Sequence, residues 1–168
     1  MLTIFSSAGD FLTSRTLTIL GFSILSMLLC QFIKFSIYSI KERTLKWRLL
    51  FSTGGFPSSH SSFCITLCIT LGMFQWHDLK YLDWSFAVAI VFSLIIIHDA
   101  MGVRLEASKH AKILNNLASD MSEEEKQEMG YGKKGQLKEM LGHEWLEVLG
   151  GIAIGIIVGL VGFLIVIM

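Results

Sequence analysis

The sequence predicts an all-α fold, a polytopic membrane helix bundle with about four transmembrane spans and a helical cytoplasmic loop, in one domain over residues 1–168. Hydrophobic residues make up 52% of the chain and charged residues only 17%, too few to solvate an ordinary globular surface. Four apolar stretches approach the roughly 20 residues that a helix needs to cross about 30 Å of hydrocarbon. A single proline and closely spaced apolar blocks leave little room for a flexible linker. The 14 basic and 14 acidic residues cancel, so the chain carries no global attraction to nucleic acid.

The first span is expected at 16–40, preceded by an amphipathic segment with Leu2, Ile4, Phe5, Phe11 and Leu12 lying in the interface. It is too long for a signal-peptide core and holds Lys34, so it stays in the mature protein. The second span, 58–76, is rich in Ser, Thr and Cys. The third, 84–103, is apolar only up to Ile97 before His98 and Asp99 intervene, so both suit a bundle-facing position better than a lipid-facing one. The connection 104–142 has apolar residues at helical spacing, Val103, Ala107, Ala111, Leu114 and Leu117, and Ser122 with Glu125 offers a capping box for a short acidic helix. The fourth span, 148–168, is uncharged. Cys30, Cys64 and Cys68 fall inside apolar blocks, which indicates core packing and not a disulfide framework.

With four spans, the connections 41–57 and 104–142 share one membrane face. They hold eleven basic residues: Lys41, Arg43, Lys46, Arg48, Arg104, Lys109, Lys112, Lys126, Lys133, Lys134 and Lys138. The other face has Arg15 and Lys80. The positive-inside rule then makes the richer face cytoplasmic and puts both termini outside.

Three polar clusters sit where spans meet that face. Gly54-Gly55-Phe56-Pro57-Ser58-Ser59-His60 combines a tight turn with a helix start whose N–H groups can bind an anion, or is an ordinary capped helix with an interfacial histidine. In Gly142-His143-Glu144-Trp145-Leu146-Glu147, His143 and Glu147 are four apart on one helix face; the carboxylate can fix the tautomer and free the other ring nitrogen to attack an electrophile. The same pair can merely cap the helix, or contribute to a metal site for which no further ligands are obvious. His98-Asp99-Ala100-Met101-Gly102-Val103-Arg104 supplies Asp99 and Arg104, either as site residues or as an ion pair with each other. Lys34, with Gln31 before it, adds an ionisable group to the first span that can snorkel to the face. Together these groups suit phosphoryl transfer by a covalent route: cations and helix N–H groups bind phosphate, one histidine attacks phosphorus and the other protonates the leaving oxygen.

These stretches, together with Leu114-Asn115 and Leu137-Lys138-Glu139-Met140-Leu141-Gly142-His143, resemble the divergent branch of the type 2 phosphatidic acid phosphatase superfamily, also described as acid phosphatase or vanadium-dependent haloperoxidase related. The resemblance runs from Gln31 onward. The superfamily's Pro-Ser-Gly-His signature is similar to Pro57-Ser58-Ser59-His60, which implies phosphate binding by Ser58, Ser59 and neighbouring N–H groups and general-acid work by His60. Its third signature, Arg before a His followed four residues later by Asp, is met by His143 and Glu147, with Leu137 at the Arg position. Lys41 and Arg48 reproduce the spacing of the first signature, with Leu49 in place of proline. Superfamily membrane members resemble six-span bundles, against four spans here.

The function these readings imply is a metal-independent lipid phosphate phosphatase. Its substrate is of the phosphatidic acid, phosphatidylglycerol phosphate or polyprenyl diphosphate type, and the reaction passes through a phosphohistidine intermediate. The catalytic residues are His143, His60 and Glu147; Arg104, Lys34, Arg48, Ser58, Ser59 and Asp99 bind the phosphate. No cofactor is called for. Vanadate-dependent peroxidase chemistry is an alternative within enzymes, and a non-catalytic protein that binds or transports a lipid headgroup is the alternative outside them. Gly151, Gly155 and Gly159 recur every four residues on the fourth span, allowing close packing against the chain's own second or third span or in a homodimer.

Overall fold

The computed structural model describes residues 2–43, 54–131, 137, 139 and 142–168. These form α1 (Leu2–Glu42), α2 (Ser59–Leu79), α3 (Trp84–Met101), α4 (Val103–Leu117), α5 (Glu123–Glu128) and α6 (Trp145–Ile167). Among the described residues there is no strand, in keeping with the all-α expectation. Three stretches are long and apolar enough to cross a membrane: Ser14–Lys41, Trp84–Leu117 and Trp145–Ile167.

The second expected span, 58–76, is helical, as α2, but is not apolar enough to count with the others. Its 21 residues would reach about 31 Å at 1.5 Å per residue, so length is not what it lacks. The reason is its position. α2 packs against α1, α3 and α6, and no residue from 59 to 75 is exposed. A helix surrounded by other helices needs no lipid-compatible surface, and its buried positions are instead Ser61, Ser62, Thr66 and Thr70. Their hydroxyls find partners within the bundle, as buried polar groups must. Ser26 and Ser62 bond to each other across α1 and α2, Thr66 Oγ1 donates to the Gly155 carbonyl at 3.1 Å, and Thr70 Oγ1 donates to the Thr66 carbonyl at 2.8 Å.

α1 starts earlier than the expected span: one unbroken helix runs from Leu2 through Glu42, where the sequence suggests a separate interfacial segment. Ser23, Ser26, Cys30 and Lys34 recur at helical spacing and are fully buried, while Leu17, Leu20, Ile24 and Leu28 face outward. α3 exposes Val88, Val91, Phe92 and Ile95 and buries Ala89, Ser93 and Ala100. It ends at Met101, two residues before the expected boundary, because the chain breaks at Gly102 (φ −97°, ψ −96°) before α4 begins. α5 has the expected capping box: Ser122 Oγ accepts from Glu125 N at 3.3 Å, and Glu125 Oε2 accepts from Ser122 N at 2.8 Å. All three cysteines are free, Cys30 and Cys64 buried.

α6 begins at Trp145, three residues ahead of the expected start. Its glycines are packed by the same chain: a Cβ on Gly151 would lie 2.2 Å from the Ser58 carbonyl oxygen, and one on Gly155 2.8 Å from that of Ser62. One on Gly159 would meet Ile69 at 2.8 Å. Within the chain, this glycine face packs on the second helix.

Candidate active site

The site is assembled where α2, α3, α4 and α6 begin or end. Ser58 caps α2, its Oγ accepting from Ser61 N at 3.3 Å, and its own N–H donates to the Glu147 carbonyl at 2.8 Å, which ties the start of α2 to the start of α6. Gly55 turns with φ +95°, and its N–H donates to Glu147 Oε2 at 3.2 Å. The same carboxylate oxygen accepts from Glu144 N at 3.3 Å and pairs with His143 Nδ1 at 2.9 Å. Glu147 thus joins the 54–57 turn, the α6 terminus and the imidazole.

His143 is seated from the other side by the α3–α4 break. The last carbonyls of a helix lack intrahelical partners, and that of Ala100 accepts from His143 N at 2.9 Å. Gly142 adopts φ +78°, and a Cβ there would lie 2.4 Å from Leu105 N and 2.8 Å from the Ala100 oxygen. The imidazole is 1% exposed. With Nδ1 directed at a carboxylate, the proton belongs on Nδ1, and Nε2 has no partner among the described residues. His60, on the first turn of α2, meets it edge to face with ring centroids 5.8 Å apart, and its buried Nδ1 is likewise unpartnered among the described residues.

Both rings line a cavity of about 180 Å³ together with Ile95, Ile96, Asp99, Ala100, Arg104 and Gly142. Arg104 Nε and Asp99 Oδ2 pair across its edge at 2.5 Å. His143, Glu147, His60, Asp99 and Arg104, drawn from three stretches of sequence, are therefore gathered as the sequence suggests. Lys34 is placed differently: it does not line the cavity and does not snorkel. It is 0% exposed, with no hydrogen-bond partner for Nζ among the described residues. Tyr38 packs at Gly55 and Ser26 at Ser62, so Lys34 lies level with the start of α2, within electrostatic reach of Glu147 and His60. Ser58 and Ser59 are buried at the helix start outside the cavity lining. Arg48 lies outside the described residues.

Among the described residues, no three His, Cys, Asp or Glu side chains gather as a metal-ligand set. What the cavity offers is an imidazole nitrogen with a free lone pair, a second imidazole, and a guanidinium. Residues 16–158 match the sequence pattern of the divergent PAP2 family. The chain belongs to that family. A relative, the uncharacterized membrane protein YuiD of Bacillus subtilis (strain 168), is 35% identical over 145 residues, covering 83% of this chain and 89% of that protein. No solved structure matches the chain. This PAP2-related membrane protein has two histidines, His60 and His143, at a helix-lined cavity.

Sequence reasoning missed the roles of four contributors to this site. Ile95 and Ile96 form cavity wall, although as part of an apolar run they are indistinguishable from lipid-facing neighbours. The Ala100 carbonyl has no side-chain signature. Asn115 holds the chain ahead of His143 through main-chain partners 22 residues away, and a polar residue amid the apolar spacing of α4 was the available signal.

Proposed function

We propose that this protein is a metal-independent integral membrane phosphatase that hydrolyses a lipid phosphate through a phosphohistidine. The observation that carries the reading is His143: a buried imidazole oriented through Nδ1 by Glu147, with Nε2 unpartnered at a cavity shared with a second histidine. The Nε2 lone pair forms a bond to phosphorus while the phosphorus–oxygen bond to the lipid breaks, and His60 gives its proton to the departing oxygen. His60, now neutral, takes a proton from water, whose oxygen attacks phosphorus and breaks the phosphorus–nitrogen bond. Inorganic phosphate leaves and both histidines return to their starting states. Arg104 neutralises the phosphate, released in part from Asp99, and Lys34 adds positive charge from behind.

The apolar walls supplied by Ile95 and Ile96 suit a substrate whose tails lie in lipid, of the phosphatidic acid, phosphatidylglycerol phosphate or polyprenyl diphosphate type. In this reading α2 crosses the bilayer with its three neighbours, the site faces the cytoplasm and the termini lie outside. Single cysteines placed in loop 104–142, in a background lacking Cys30, Cys64 and Cys68, should label from the cytoplasmic side of sealed vesicles only; labelling from outside alone refutes the orientation.

Purified protein in nanodiscs, with chelator present, should release phosphate from at least one of these three lipid classes. His143→Ala should abolish release, and a labelled phosphoprotein stable to alkali but labile to acid should be trapped only when His143 is present. His60→Ala should cost about 10²–10⁴-fold on alkyl phosphates and far less on p-nitrophenyl phosphate, whose leaving group needs little protonation. The second reading, lipid-headgroup binding or transport without catalysis, has one observation in its favour: the Arg104–Asp99 pair neutralises the guanidinium that lines the cavity. Headgroup binding with no release from any substrate would establish that reading and reject the phosphatase.

A further inference from the structure

Asn115 makes more directed contacts than a residue on the side of a surface helix needs for packing. Its Nδ2 donates to the Leu137 carbonyl at 2.9 Å while its Oδ1 accepts from Leu137 N at 2.8 Å, so one side chain satisfies both main-chain groups of one residue. This copies the reciprocal pairing of two strands and fixes the direction of the segment as well as its position. Nδ2 also donates to Glu139 Oε1 at 2.7 Å, and Ser108, on the same helix, donates its hydroxyl to the Glu139 carbonyl. Downstream of Glu139 come Gly142, which lies close against Leu105 on the first turn of α4, and His143, whose amide donates to the Ala100 carbonyl at the end of α3. α4 therefore anchors the approach to His143 through Asn115 and Ser108, and it also carries Arg104.

Resting on the phosphatase reading above, we infer that Asn115 is a positioning residue that sets His143 Nε2 against the Arg104 guanidinium. The helix that brings the phosphate-binding cation also anchors the chain ahead of the nucleophile, whose own amide is bonded to the end of α3, so Asn115 ties the His143 approach to the helix that carries Arg104. Covalent steps tolerate little error in that separation: a displacement of about 1 Å can cost about 10²-fold in rate.

In nanodiscs, Asn115→Ala should lower kcat by about tenfold to a hundredfold with KM changed less than about threefold, the pattern of a misplaced reacting group. Asn115→Asp keeps the acceptor for Leu137 N but sets a carboxylate against Glu139, and should lose as much. Adding Glu139→Gln restores a donor across that contact and should recover about fivefold or more, which a merely destabilised loop would not do. Hydrogen exchange at the His143 amide should also rise in Asn115→Ala, a readout independent of turnover. Asn115→Ala with kcat within twofold of wild type, loss without rescue by Glu139→Gln, or unchanged His143 exchange each overturns the inference. A wild type inactive on every substrate refutes the phosphatase reading instead, and His143 exchange then still decides whether Asn115 holds that residue.

Discussion

Gly142→Ala is the sharpest test of how the proposed nucleophile, His143, is seated. The new Cβ would lie 2.4 Å from Leu105 N, 2.8 Å from the Ala100 oxygen and 2.8 Å from Arg104 C, all main-chain atoms of the α3–α4 junction that cannot rotate away. Reaching ordinary contact at 3.4 Å requires a shift of about 1 Å from Leu105. The shift falls on the residue next to His143 and loosens its bond to Ala100. A displacement of that size predicts a loss of about 10²-fold in kcat/KM, equivalent to about 2.7 kcal/mol of transition-state stabilisation. The left-handed backbone adds about 1–2 kcal/mol of strain to the fold. Gly130→Ala separates these two effects, because Gly130 has φ +84° and nothing within 4 Å of where its Cβ would sit. Phosphate release in nanodiscs, read beside thermal midpoints, should show Gly130→Ala losing stability alone and Gly142→Ala losing turnover as well. Equal activity in the two variants would refute the proposed seat.

Ile95→Trp should depress turnover of lipid phosphates while sparing p-nitrophenyl phosphate, because Ile95 lines both the catalytic cavity and an adjoining groove with Leu94, His98 and Val103; equal loss on both substrates would count against tails lying there. Gly151→Ala places a Cβ 2.2 Å from the Ser58 oxygen and should lower the thermal midpoint clearly, whereas Gly21→Ala, with nothing within 4 Å, should not. At α5, the Ser122 N–H beside Glu125 holds its carboxyl below the ordinary glutamate range. Depression on folding means the cap is present above the unfolded value of about 4.3 and is lost as pH falls through the lowered one, so amide exchange in α5 should accelerate there and Ser122→Ala should weaken that dependence.

The helices were legible because apolar runs of this length have few alternatives, and the early start of α6 follows from Glu144 and Glu147 bonding ahead of the apolar stretch. The unbroken run of α1 from Leu2 was not, since an amphipathic segment reads the same whether it bends into an interface or continues a helix. His60, His143, Glu147, Asp99 and Arg104 were legible as ionisable groups at span ends, where burial demands partners. Lys34 was legible as a charge in a span but not in its depth, which depends on the register of Ser26 against Ser62. Asn115 stands in one of the family-like stretches, but its role was hidden because two of its three contacts are to main-chain groups, which leave no pattern in residue identity.

The hydroxyl seam around α2 bears on how the chain enters a bilayer. Emerging alone, α2 would offer lipid the unbonded hydroxyls of Ser62 and Thr66 together with His60, and hydropathy would not hold it there. α1 arrives earlier and already presents Ser26 at the matching height, while Gly155, whose carbonyl Thr66 needs, is synthesised last. On the four-span reading proposed above, insertion of α2 is a folding event and not a partitioning event, completed only when α6 closes over it. A chain stopped before Trp145 lacks Glu147, which orients His143, and it also leaves its central helix without the partner that makes it tolerable in lipid.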